Sequence, residues 1–259
     1  MVYMGSKNKY APEIVPILQK IINDNKLDTY IEPFVGGANV IDKIQCKNKF
    51  GCDKNATLIA LHKQAQEDFS IIPEHGSRDW WDEAKSIYRA AAGDIKKLNE
   101  SSMPLWKIGA IAFFGSFSRG GFSRGMAKNH PGHDYYNEAY KNMQKQSTHP
   151  LYHDITFAQA EYNEIKCQGA LIYNDPPYQN TKAYGYKFET GFDYDAYWNW
   201  IREQSKTNYV VCSEQTFPED FIIIWERSVK RTNGKDNNFE AVEKLGIWKD
   251  GLAAKYFKN

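Results

Sequence analysis

The chain has 259 residues, of which 42% are hydrophobic and 25% charged, a composition typical of a globular protein and not of a disordered one. Its 33 basic and 32 acidic residues leave a formal net charge of +1, which does not specify a partner, because a nucleic-acid-binding protein can be neutral overall and basic on one face. No run approaches the ~20 apolar residues that span a membrane, and the first residues lack the apolar stretch of a signal peptide. The four cysteines form no Cys-x-x-Cys pair, so we expect reduced thiols, no metal site and a cytoplasmic protein.

The first quarter of the chain predicts alternating strands and helices. The predicted elements are a helix over 10–22, strands at 29–34 and 49–53, and helices just beyond Gly37 and over 55–66. The first strand leads into Gly36-Gly37, and the second ends in Asp53. This order is the opening of a doubly wound α/β sheet.

Residues 67–150 interrupt the alternation. They contain a Phe-Ser-Arg-Gly pattern repeated on the two sides of Gly120-Gly121. A glycine pair permits the positive φ angles of a hairpin turn. We therefore expect an inserted subdomain of helices plus a hairpin at 67–150, with the main domain built from 1–66 and 151–259.

The last third of the chain returns to strand and helix patterns. It predicts strands at 170–173, 208–212 and 221–225, a helix over 194–204 and a final edge strand at 243–248. The fold class is thus α/β, with a Rossmann-like sheet carrying one insertion.

Gly36, Gly37 and Asp53 form a first candidate binding pattern. Glycines after a strand allow a ligand to approach the backbone, and an acid at the tip of the second strand suits the two hydroxyls of a ribose. Dinucleotides and S-adenosylmethionine both use this pattern. The alternative is an ordinary tight turn in which Asp53 caps the next helix.

The tetrad Asp175-Pro176-Pro177-Tyr178 follows an apolar strand and forms a second pattern. Two prolines remove two backbone donors and leave carbonyls beside a carboxylate and an aromatic ring. Asp175 and the Pro176 carbonyl can each accept a hydrogen bond from an NH2 group, which raises the lone pair of its nitrogen for attack, while Tyr178 stacks on the ring plane. The alternative is a loop-breaking turn.

The tetrad, together with Phe34-Val35-Gly36-Gly37 and Tyr3-Met4-Gly5-Ser6-Lys7 upstream, resembles the Dam-type DNA adenine-N6 methyltransferases. The motifs occur in that family's order over nearly the whole chain, and the segment from Glu243 to Gly251 is similar to the family's C-terminal strand. The resemblance implies a Rossmann-like S-adenosylmethionine-dependent methyltransferase sheet, with 67–150 as the target-recognition subdomain. It also implies double-stranded DNA as the partner, no metal and no membrane, and it makes GATC the target sequence to test first. Methylation of cytosine N4, or of an RNA or protein amine or amide, is the alternative.

The resemblance also implies site residues. The S-adenosyl-L-methionine residues it implies are Tyr3, Lys7, Glu32, Phe34, Gly36, Gly37, Asp53, Phe157 and Asp175. Among these, Lys7 is expected to face the methionine carboxylate, and Phe157 either packs on the cofactor's adenine or belongs to the core. The catalytic residues it implies are Asp175, Pro176, Pro177 and Tyr178. The sequence departs from the family at two places. The segment from Phe34 to Asn39, called the glycine loop below, ends in Ala38-Asn39, and no acid stands beside Phe157.

The insertion supplies the expected DNA contacts. The residues implied are Arg119, Arg124, Phe117, Phe122 and Lys128. Arginine grips guanine or phosphate, and a phenylalanine wedges into the base stack while the target adenine flips out. The alternative is a hairpin packed on its own helices, with solvated arginines and core phenylalanines. The histidines show no metal-ligand spacing and are expected at the surface or in caps.

Overall fold

The structure, a computed structural model, describes residues 1, 3–129, 132–178, 191–232 and 238–257, with backbone alone at 118, 229–232 and 238–241. The strands are β1 (Thr29–Glu32), β2 (Asn48–Asp53), β3 (Ile155–Gln159), β4 (Leu171–Asn174), β5 (Tyr209–Glu214), β6 (Phe221–Thr232) and β7 (Asn238–Trp248). The helices are α1 (Ala11–Asn25), α2 (Ala56–Glu67), α3 (Arg78–Ala91), α4 (Ile95–Asn99), α5 (Leu105–Gly115), α6 (Tyr135–Ser147), α7 (Pro150–His153), α8 (Tyr194–Gln204) and α9 (Leu252–Phe257). No helix in these ranges is long and apolar enough to cross a membrane.

The strands form one sheet in the order β3-β2-β1-β4-β5-β7-β6. The strands from β3 to β5 are parallel, and β7 is antiparallel to both of its neighbours. This arrangement confirms the predicted Rossmann-like α/β fold. The strand order reverses between β1 and β4, which is the point where parallel sheets bind ligands at their carboxyl ends. The glycine loop follows β1 and the tetrad follows β4, so the topology brings the two motifs together.

Both faces of the sheet are covered. Along β4, Leu171 and Tyr173 belong to the larger hydrophobic core, while Ile172 belongs to a second cluster that includes residues of α8. The alternation follows from the two-residue period of a strand. A strand buried on both faces explains the continuous apolar run from which β4 was predicted.

The prediction of a helix after the glycine loop is wrong. The structure has a single 3-10 turn at Ile41–Lys43. The Gln146 side-chain amide, on α6, donates to the carbonyls of Gly37 and Ala38, at 3.1 Å and 3.0 Å. The carbonyls that would accept the first hydrogen bonds of a helix therefore accept from the side chain of Gln146 instead. In addition, β2 begins only a few residues later, which leaves little room for a helix.

The position predicted for the last strand is also wrong. β7 lies inside the sheet, between β5 and β6, and β6 forms the edge. β6 and β7 pair antiparallel over most of their length, from Phe221 with Trp248 to Thr232 with Asn238. The sequence pattern identified the strand but contained nothing about which strand would be its neighbour.

Residues 67–150 are helical, and the described part of them contains no strand. The predicted two-stranded hairpin is replaced by two 3-10 turns, Phe117–Arg119 and Gly121–Ser123, closed by an antiparallel bridge between Ser116 and Met126. The type I′ hairpin turn that a glycine pair favours requires positive φ at two adjacent residues. Here the positive φ angles fall at Arg119 and Gly121, on either side of Gly120, so the chain coils.

Candidate functional site

The glycine loop after β1 lies under the N-terminal segment. Gly36 has a φ of +47°, and a Cβ placed there would lie 3.0 Å from the Tyr3 ring. A Cβ on Gly37 would lie 2.6 Å from the Asn39 amide and 2.8 Å from Tyr3 Cβ. The close approach for which these glycines are needed is therefore made by the N-terminal segment. Tyr3 accordingly covers the loop, and its predicted contact with the cofactor stays a prediction.

His62, on α2, holds the glycine loop from inside the core. Its Nε2 is 2.8 Å from the Gly36 carbonyl, which only accepts, so Nε2 carries the proton and Nδ1 accepts from the Tyr152 hydroxyl at 2.8 Å. Burial lowers the pKa of His62 to about 3, which keeps the ring neutral. The prediction that the histidines lie at the surface is wrong for His62. The available signal was its position on the apolar face of α2, in line with Leu58.

Asp53 ends β2 beside the loop. Its carboxylate accepts from the backbone N–H of Gly36 at 3.2 Å and of Asn55 at 2.9 Å. Burial raises its pKa to about 6. The N-cap of α2 is Asn55, whose side chain accepts from two backbone N–H groups in the first turn. Capping of the helix is therefore not the role of Asp53.

An aromatic wall follows the carboxyl ends of β1 and β3, the two neighbours of the strand that Asp53 ends. The rings of Phe34 and Tyr162 are stacked with their centres 5.6 Å apart. Phe157, by contrast, lies in the middle of β3 and is buried against the His62 ring at 4.5 Å. Phe157 is thus a core residue, and the residues that follow the carboxyl end of β3, Glu161 and Tyr162, are candidates that sequence reasoning did not name. The missing signal was position: ligand-binding residues follow a strand's carboxyl end, and the acid sought beside Phe157 stands beside Tyr162.

Glu32, at the end of β1, is buried and accepts a hydrogen bond from the Tyr30 hydroxyl at 2.7 Å. Burial raises its pKa well above the usual range for a carboxyl group. Glu32 therefore lies behind the loop, where its side chain packs within the protein.

Asp175 is paired with a cation from the N-terminal segment. The Lys7 Nζ atom lies 2.7 Å from Asp175 Oδ1, and the exposed fractions of the two side chains are 6% and 21%. Burial raises the pKa of Asp175, while the positive charge of Lys7 opposes the rise. The structure thus places Lys7 against the tetrad. The predicted contact of Lys7 with a methionine carboxylate stays a prediction.

Tyr178 is held by two strands that are distant in sequence. Its hydroxyl donates to Glu243 Oε2, on β7, at 2.7 Å and lies 2.9 Å from Ser213 Oγ, on β5. The Lys7 Nζ atom lies 4.5 Å from the centre of the Tyr178 ring. Sequence reasoning missed Ser213 and the role of Glu243, because only the pairing of β5 with β7 brings them to the tetrad.

The two prolines of the tetrad differ in what surrounds them. The Pro177 carbonyl accepts a hydrogen bond from the Tyr194 hydroxyl, at the start of α8. Pro176 is buried. Two residues before Pro176, the Asn174 amide is buried, and among the described residues neither its oxygen nor its nitrogen has a hydrogen-bond partner. Such unsatisfied buried groups are uncommon and occur at functional sites.

The five residues predicted to contact DNA fall into two groups. Phe117, which is 61% exposed, and Arg124 and Lys128 lie at the surface. Arg119 is only 7% exposed and donates to the Phe114 carbonyl at the end of α5, so in this structure it stabilises a helix end. Phe122 is buried against the Trp81 ring at 5.1 Å and is a core residue. The sequence also offers Tyr184 and Tyr186, which follow the tetrad, as part of a lid near the flipped base or of a long surface loop, and His130 as part of the polar stretch that contains Lys128. These three residues lie outside the described residues.

Comparison with known proteins assigns the family. The family model described as D12 class N6 adenine-specific DNA methyltransferase matches residues 3–198. The chain belongs to this family. The match runs from the N-terminal segment through the glycine loop and the tetrad, and it confirms the resemblance inferred from those motifs.

A curated relative of this D12-class chain is the modification methylase StsI from Streptococcus sanguinis. The two are 25% identical over 219 residues, which are 80% of this chain and 32% of that protein. The chain therefore spans about a third of the length of this relative.

Among the residues that the structure describes, no group of three or more His, Cys, Asp or Glu is placed to hold a metal ion.

Proposed function

We propose that this chain transfers a methyl group from S-adenosylmethionine to the N6 amine of an adenine flipped out of double-stranded DNA. The observation that carries the proposal is the meeting of the glycine loop and the Asp175 tetrad at the carboxyl ends of β1 and β4. Membership of the D12-class family supports the choice of adenine over cytosine.

The residues at the carboxyl ends of β1, β2 and β3 fit the proposed cofactor. Asp53 is a half-buried carboxylate that can accept from two ribose hydroxyls, and the wall of Phe34 and Tyr162 after the two neighbouring strands suits a purine. The unsatisfied Asn174 amide also favours a polar ligand near the tetrad. When bound, the cofactor supplies an electrophilic methyl group on a sulfonium.

The tetrad would orient and polarise the target amine. Lys7 lies against Asp175 Oδ1, and we assign one amine hydrogen to Oδ2. The Pro177 carbonyl already accepts from Tyr194, so we assign the second hydrogen to the Pro176 carbonyl. Tyr178, with its hydroxyl held by Glu243 and Ser213, presents its ring to the flipped base. Flipping is required because the amine is otherwise paired inside the duplex.

The test is incubation with S-adenosylmethionine labelled in its methyl group and unmethylated duplex DNA, followed by nucleoside analysis. We expect the label on adenine N6. Label on cytosine N4 would keep the mechanism and overturn the choice of base. Absence of label from DNA, with cofactor binding retained, would replace DNA by an RNA or protein substrate.

The affinity for the cofactor should fall as the pH drops through about 6. The pKa of Asp53 is raised to about 6 by burial, so the carboxylate becomes protonated below that pH and can no longer accept from both hydroxyls. His62 does not titrate in this window, because its pKa is about 3. Calorimetric binding of S-adenosylmethionine between about pH 5 and pH 7 measures the effect. Asp53→Asn is the control, with weaker and pH-independent binding; a wild-type affinity that is constant over this range would remove Asp53 from the cofactor site.

Arg124→Ala should weaken binding to duplex DNA. Arg124 is exposed, and no ion pair occupies it among the described residues. If it contacts a phosphate, the slope of log K against log salt should become shallower by about 0.9, equally for all sequences; if it contacts a base, specificity should relax instead. Lys206→Ala is the control, because Lys206 is exposed and precedes β5, at the amino end of a parallel strand and so at the end of the sheet opposite to the tetrad. Unchanged DNA affinity in Arg124→Ala would contradict the assignment.

A further inference from the structure

A buried charge cluster lies beside the tetrad, with one cation between two carboxylates. The Lys7 Nζ atom is 2.7 Å from Asp175 Oδ1 and 4.0 Å from Glu243 Oε2. The exposed fractions of the Lys7 and Glu243 side chains are 6% and 3%. Glu243 comes from the middle of β7 and reaches the cluster only because β7 inserts beside β5.

We infer that Glu243 is a positioning residue that acts through Lys7, sharing its charge so that the cluster facing the target amine keeps a net charge of −1. The inference rests on the proposed function. Without Glu243, Lys7 would neutralise Asp175 alone, and the carboxylate would be a weaker partner for the amine. With Glu243 present, the two carboxylates share the single positive charge of Lys7.

The negative charge matters because of where charge develops during transfer. The amine lone pair forms the new N–C bond, the C–S bonding pair leaves with the sulfur, and one N–H proton passes to water afterwards. Positive charge therefore leaves the sulfur and appears on the amine nitrogen in the transition state. A fixed negative charge nearby stabilises that change without reorganising, and most strongly where water is excluded.

Glu243 also accepts from the Tyr178 hydroxyl, so a purely structural role has to be separated from the role of its charge. Tyr178→Phe removes that hydrogen bond and leaves the charge of Glu243 in place. Glu243→Gln removes the charge and keeps the size of the side chain. Lys7→Met with Glu243→Gln removes both charges and restores a net charge of −1, carried by Asp175.

The experiment measures single-turnover methyl transfer to duplex DNA at saturating DNA and labelled S-adenosylmethionine. Glu243 Oε2 lies 4.0 Å from the Lys7 cation in a partly shielded site, so we expect a rate about ten- to fifty-fold lower in Glu243→Gln, with dissociation constants for DNA and cofactor within about two-fold of the wild type. Glu243→Asp should recover most of the rate. The double variant Lys7→Met/Glu243→Gln should be faster than Glu243→Gln, a rescue that loss of packing would not produce.

Two results would overturn the inference. One is a wild-type rate in Glu243→Gln. The other is an equal loss in Tyr178→Phe and Glu243→Gln with no rescue in the double variant, which would assign Glu243 to holding the tyrosine. A wild-type protein that binds cofactor but does not methylate DNA would instead overturn the proposed function. Thermal unfolding of each variant identifies any that does not fold. If Glu243→Gln does not fold, the rate of Glu243→Asp is compared with that of the wild type instead.

Discussion

Asp175→Ala should lower the rate of methyl transfer by about a hundred- to a thousand-fold, with the affinity for S-adenosylmethionine changed little. The carboxylate is the acceptor that draws on the target amine, and loss of one such preorganised group typically costs a factor of this size. The cofactor candidates Asp53, Phe34 and Tyr162 lie at the ends of other elements, so their geometry should survive. Single-turnover kinetics give the rate, and calorimetry gives the dissociation constant of the cofactor.

Asp175→Asn is the matched control. Its amide oxygen still accepts from the amine, but Lys7 loses the partner that lies 2.7 Å away. We expect a rate between those of the wild type and Asp175→Ala. Normal turnover in Asp175→Ala would remove Asp175 from the mechanism, and an equal loss of cofactor binding would assign it to the cofactor site instead of to the amine.

Gly109→Ala should cost about 3 kcal/mol of the free energy of unfolding. A Cβ at Gly109, on α5, would lie 2.2 Å from the carbonyl oxygen of Thr57, on α2. The obstructing atom is backbone, so the two helices have to separate, and overpacking of this kind is strongly destabilising. Because α2 also carries His62, which bonds the Gly36 carbonyl, we expect cofactor affinity to fall as well. Urea unfolding measures the loss of stability.

Gly125→Ala provides the comparison for this stability test. Apart from its chain neighbours, no described residue has an atom within 4 Å of a Cβ at Gly125, and the φ of Gly125 is not in the positive range. Its free energy of unfolding should stay within about 0.5 kcal/mol of the wild type. Equal stabilities of the Gly109→Ala and Gly125→Ala variants would show that α2 and α5 can separate at little cost.

Local patterns in the sequence were sufficient for the elements and for the fold class. Helix α8 has the bounds predicted for it, 194–204, since its apolar spacing is helical and Asp193 supplies its N-cap. Strand β4 was predicted from its apolar run, and the residues after β1 and β4 were predicted as the site because both motifs follow strands. The order of those motifs was also enough for the family.

Local sequence patterns could not predict the contacts between segments that are distant in the chain. The 3-10 turn after the glycine loop depends on Gln146, which arrives from α6, and the interior place of β7 depends on its pairing with β5. The burial of Arg119 depends on the carbonyl at the end of α5. In each case the structure depends on a contact with another element, and the position of that element cannot be predicted from local periodicity.

The charge environment of the tetrad shows the same division. The sequence by itself determined that Asp175, two prolines and Tyr178 follow an apolar strand, and hence that an amine acceptor stands at a sheet edge. Only the tertiary structure decided that Lys7 pairs with Asp175 and that Glu243 shares the cation. The physical reason is that hydrophobic periodicity reports which face of an element is buried, whereas the partner of a buried charge is set by the packing of segments far apart in the chain.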